Sequence, residues 1–192
     1  RLVEAQLLWL PPQHALQLLR SSADAGLPSA QVRGVLMGVA TGDVAGDDAL
    51  GTLPPPLVVE VLQSVLGLLN GGSGVQLAKE AGGEVGLVLR AGLEAVTAAS
   101  SAAVASAHLV REMASRPHDA EEALSSLDTL RSTVETSKDI IAAVGSAGGT
   151  VGEPALQALA AAVAGLDAAA DAAGGMPALL RALGTDAHAP ED

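Results

Sequence analysis

Along this chain apolar residues recur at intervals of three and four, not two. That spacing belongs to the α-helix, with its turn of about 3.6 residues, and not to the strand, whose side chains alternate between faces. The stretch from Leu53 to Gly72, LPPPLVVEVLQSVLGLLNGG, shows the rule most fully. Val58, Leu62, Val65 and Leu69 form one stripe, and Leu57, Val61, Leu66 and Leu68 widen it. Between Pro55 and Leu69 only Glu60, Gln63 and Ser64 are polar. The prolines ahead of it suit a first helical turn, and Asn70-Gly71 reads as a left-handed stop. The spacing predicts a helix from Pro55 to Leu69. A helix apolar over most of its surface is expected at the centre of a bundle.

The same grammar divides the rest of the chain. A short helix precedes Pro11-Pro12, a second covers His14 to Ala25, and a third runs from Ala30 to Ala40 with Ser29 as its N-cap. Residues 1–42 therefore read as N-terminal helices, and the Gly-, Asp- and Pro-rich residues 43–56 as a loop and boundary. Residues 57–184 read as the main bundle and 185–192 as a mobile tail. Residues 74–115 are helical, and Gly82, Gly83 and Gly86 leave open whether they form one helix or two meeting near Gly83. Val85, Leu89, Leu93 and Val96 make a stripe there, continued by Ala99, Ala103, Ala107 and Val110. Asp119 and Glu122 have capping-box spacing. The helix they open carries Leu127, Val134 and Ile141, flanked by Leu124, Leu130 and Val144, and ends in GSAGGTVG at 145–152. From Pro154, the residues Leu156, Leu159, Val163, Leu166, Ala170 and Ala173 form a seam. A last short helix follows from Pro177 to Leu183. The expected fold is an all-α, antiparallel multi-helix bundle of about six to eight helices joined by short Gly-rich turns.

Composition sets the chemistry of that bundle. Leu, Val and Ala supply nearly all of the 49% apolar residues, and Trp9 is the only aromatic. A buried Leu or Val contributes about 1.5–3 kcal/mol and an Ala much less, so stability per residue is expected to be modest. The net charge of −12 repels phosphate backbones and anionic lipid surfaces, which argues against nucleic-acid and membrane-surface partners. With no Cys, there is no disulfide, thiolate nucleophile or Cys-zinc site. No unbroken apolar run approaches the ~18–20 residues of a membrane span. The opening RLVEAQLLWL is interrupted by Glu4 and Gln6 and has no basic region ahead of it, unlike a signal peptide. Arg1 in place of Met points to a piece of a larger protein.

Residues capable of chemistry do not assemble into a pattern. His108 and Glu112 share a helix face beside Arg111, but a metal would need two more ligands. His118, Asp119, Glu121 and Glu122 sit at a helix start, where acids favour the helix dipole. His14 and His188 have no companions. Counted from Asp43, with Asp47 and Asp48, a calcium loop would need an acid at Ala45, Gly at Asp48 and Glu at Pro54. GGSGVQLAKE at 71–80 lacks the lysine position, the hydroxyl and the preceding strand of a phosphate-binding loop. Ser100-Ser101 and His108 are two turns apart, too far for a nucleophile and its base. The reading is that there are no catalytic, cofactor-binding or metal-binding residues and no cofactor.

At PPPLVVEVLQSVLGLLNGG and EVGLVLRAGLEAVTAAS the chain resembles the helical part of the REJ and GAIN domains of polycystin-like and adhesion-receptor ectodomains. Leu57, Val58, Val61, Leu62, Val65, Leu66, Leu68, Leu69 and Asn70 carry the likeness, and its cadence covers residues 53–150. It implies a passive, extracellular mechanical subdomain. The family's His-Leu-Ser/Thr cleavage motif is not matched, because Val110 follows His108-Leu109. Asn70, the sole Asn, is not a glycosylation acceptor. SSLDTLRSTVETSKDIIAAV, 125–144, is similar to the helices of talin-type cytoskeletal rods.

The sequence thus predicts a non-enzymatic structural or protein-interaction module, a fragment of a larger, receptor-like protein. Its partners would be another protein or neighbouring domains of the same chain. The candidate interface is Val58, Leu62, Val65 and Leu69, with Trp9 as an anchor. The alternative is a small soluble helical protein that binds an apolar ligand between Ala-lined helices.

Overall fold

The computed structural model describes residues 29–41, 50, 53–105 and 117–173. Among these residues there are six helices and no strand. They are α1 (Ser29–Thr41), α2 (Pro55–Asn70), α3 (Gly74–Glu80), α4 (Gly82–Ala105), α5 (Pro117–Ser146) and α6 (Glu153–Ala173). The helices pack on one another as an all-α bundle.

Proline opens α2 for a simple reason. Pro54, Pro55 and Pro56 have no N–H, so most of the amides a helix start leaves unpaired do not exist here. The next one, Leu57 N–H, donates to the Pro54 carbonyl at 2.9 Å. The end of α2 differs from expectation. Gly71 is extended, with φ −73° and ψ 172°, and is not left-handed. Its N–H donates to the Leu68 carbonyl at 3.2 Å. The chain then turns so that α3 lies at 111° to α2. A Cβ on Gly74 would collide with the Leu69 carbonyl, so α3 can start against the end of α2 only because residue 74 is glycine.

Residues 74–105 form two helices, and the break falls at Ala81 (φ −118°, ψ 17°), two residues before Gly83. The glycines expected to break the helix have another use. A Cβ on Gly82 would lie 2.5 Å from the Thr150 carbonyl oxygen, and one on Gly86 would fall on the Val151 carbonyl. Both face the link between α5 and α6, one helical turn apart. Gly149 answers from the other side, since its missing Cβ would overlap the Ala78 carbonyl of α3. Backbone therefore meets backbone at this crossing. Gly83, between them, has open space.

α4, not α2, is the central helix. It packs against α1, α2, α3, α5 and α6. Its Val85, Val88, Leu89, Leu93 and Val96 are fully buried. Gly92 thins its face towards α2, where a Cβ would stand 3.1 Å from Val58 Cγ1 and 3.5 Å from Leu62 Cδ1. Small residues on α4 admit more neighbours than the bulky stripe of α2 could. Beyond Val96 the buried line passes to Ser100, and Ala99 faces solvent. Ser100 Oγ donates to the Ser126 carbonyl on α5 at 3.2 Å.

α5 begins at Pro117, which is pre-shaped for a first turn, so Asp119 lies inside the helix and is not its cap. The far end closes as a Schellman motif. Gly148 has φ +81°, its N–H donates to the Gly145 carbonyl at 2.9 Å, and Gly149 N–H donates to the Val144 carbonyl at 2.9 Å. A second left-handed glycine, Gly152, leads into α6. On α5 the buried line includes Leu127, Leu130, Thr133, Val134, Ser137, Ile140 and Val144, while Ile141 is half-buried.

On α6 the expected seam is rotated. Leu156 is exposed, and Leu159 and Val163 are only half-buried. The buried face is Ala155, Ala162, Leu166, Ala169 and Ala170. The glycine crossing just before α6 brings it close to α4, and only the alanine side of α6 is flat enough to follow. α1 shares the core of the other helices through Val32, Leu36 and Val39. So does Leu50, which is fully buried although it lies within the stretch expected to be a boundary. Val32, Leu36, Val39 and Leu50 thus belong to the same hydrophobic cluster as the later helices.

Candidate functional site

The stripe expected to meet a partner is used within the chain. Val58 and Leu62 are 0% exposed, Val65 1% and Leu69 7%. α2 lies against α5 and α4, which cover this face, and the close approach at Gly92 places Val58 and Leu62 directly on α4. This corrects the interface expectation for these four residues. A stripe of large aliphatics gains most when it is dry, and two helices of the same chain already keep it so. Trp9 lies outside the described residues.

The residues weighed for chemistry divide in the same way. His14, Asp43, Asp47, Asp48, His108, Glu112 and His188 lie outside the described residues. The backbone of His118, Asp119, Glu121 and Glu122 belongs to the first turns of α5. Ser100 is buried with its hydroxyl committed to a carbonyl of α5. Gly71 to Gly74 form the tight turn into α3, and Gly74 is buried against Leu69. Lys79 is exposed in the last turn of α3. Among the described residues, no three His, Cys, Asp or Glu side chains come together as a metal site. Also among them, no single helix is long and apolar enough to cross a membrane.

What the structure brings to the surface is a different apolar set, which the periodicity alone misplaced. Leu156 is 47% exposed on α6, and Ala160, Ala161, Ala164 and Ala168 are exposed on the same helix. Spacings of three and four place them on one side, opposite Ala155, Ala162 and Ala169. Polar residues interrupt this side, with Gln157 and Asp167 among the alanines, Glu153 ahead of Leu156 and Asp171 beyond Ala168. Gln157 Nε2 donates to Glu153 Oε1 at 3.1 Å, one turn apart. Small side chains lose almost no rotamer freedom on burial and let a second backbone come close. Val75 on α3 is 62% exposed and stands apart from this set in sequence. The signal for the α6 face was present in the run of alanines, but alanine is compatible with either side of a helix. Deciding between them needed the position of α4.

Charge contributes one link between distant segments. Arg33 of α1 donates to Glu84 Oε1 of α4 from Nε at 2.9 Å and from a terminal nitrogen at 2.5 Å. The arginine side chain is 48% exposed and the glutamate 16%. Arg90–Glu94 and Arg131–Glu135 are pairs within one helix. These interactions orient helix surfaces and add little energy where water reaches them.

Together these features define an aliphatic, acidic, all-helical module with a core closed by glycine contacts and one alanine-rich outer helix face. No family model, no curated protein and no solved structure matches the chain. Its functional reading therefore rests on its own residues.

Proposed function

We propose that this chain is a non-enzymatic structural or protein-interaction module, one piece of a larger protein. In this reading its helices run antiparallel and number six to eight over the whole chain. The links support that course, since Ala81 alone separates α3 from α4 and residues 147–152 separate α5 from α6. The receptor-like setting is supported by the resemblance of residues 57–70 to the helical part of REJ and GAIN domains. The observation that carries the interaction role is the outer face of α6. It presents Leu156 with Ala160, Ala161, Ala164 and Ala168 on a protein of net charge −12. An apolar side on so acidic a surface is suited to a neighbouring helix or domain.

The test is site-specific photo-crosslinking in the intact parent protein. A photoreactive residue is placed at 156, and in a separate sample at the exposed Glu135 of α5 as a control. The expected result is a protein adduct, to a neighbouring domain or a partner chain, from position 156 and not from 135. Equal, sparse labelling from both positions overturns the assignment of this face.

A further inference from the structure

We draw no further inference here: the strongest candidate, the alanine-rich outer face of α6 around Leu156, belongs to the reading already given, and nothing in the structure shows what covers it.

Discussion

The glycine crossing between α4 and the α5–α6 link yields a prediction whose sign is opposite to the usual rule. Inside a helix, Gly→Ala ordinarily stabilises by about 0.5–1 kcal/mol, because alanine has less backbone freedom to lose on folding. Gly67 of α2 meets the conditions for that gain, being exposed with nothing near its absent Cβ. At Gly86 the same methyl lands on the Val151 carbonyl. That neighbour is backbone and cannot swing away as a side chain would. Either α4 or residues 149–152 must shift, and moving packed elements to admit an extra methyl costs about 1–3 kcal/mol. Gly67→Ala is therefore expected to raise stability and Gly86→Ala to lower it. Both changes carry the same backbone gain, so the two variants should differ by the steric cost alone, roughly 1–3 kcal/mol. Urea unfolding followed by circular dichroism at the helical band reads this directly, as midpoints that move apart at an unchanged slope. In a chain of this size the melting temperatures should move by about 2–4 °C per kcal/mol. If Gly86→Ala is as stable as Gly67→Ala, the backbone contact between α4 and the α5–α6 link is not there.

Other positions test the core and its polar exceptions. Ser137 is fully buried on α5 with no protein partner for its hydroxyl, so Ser137→Ala should gain about 1 kcal/mol. A loss of stability in thermal melts would show that the hydroxyl is satisfied. Leu89 is fully buried on the central helix, and Leu89→Ala should cost about 2–5 kcal/mol. Val75→Ala, at a residue 62% exposed, should stay within about 0.5 kcal/mol by the same denaturation assay. A double-mutant cycle on Arg33 and Glu84 should give a coupling of about 0.2–1 kcal/mol that fades in high salt. A coupling that salt leaves untouched would mean that the pair is drier than its exposure indicates.

The features of the fold legible in the sequence were those governed by local rules. The prolines at 54–56 mark a helix start because they leave no amide to satisfy there, and the glycines at 148 and 152 mark the turns because their φ of +81° favours glycine. Val85, Leu89, Leu93 and Val96 are both spaced and buried as one face. What the sequence hid was the depth of each contact. Leu156 and Leu159 outrank Ala155 and Ala162 on any scale of apolarity, yet the alanines are inside. Closeness to α4 decided the matter, and closeness is a property of Gly82 and Gly86 more than 60 residues earlier in the chain. For the same reason α2 reads as the middle of the bundle when judged by bulk, whereas α4 holds that place through its missing side chains. Val58, Leu62, Val65 and Leu69 are inside for the same reason, since the most apolar stripe is the one the chain itself covers.

The dependence of α2 on α4 and α5 also sets a clock on biosynthesis. Val58, Val61, Leu62, Val65, Leu68 and Leu69 leave the ribosome together, and the helix that chiefly covers them runs to Ser146. At about 5–20 residues per second, the part of the stripe that faces α5 waits roughly 4–15 s for its cover. In that interval the nascent chain shows an apolar surface of the kind chaperones bind, and a product ending before Pro117 would keep α4 but leave the α5-facing side of α2 bare.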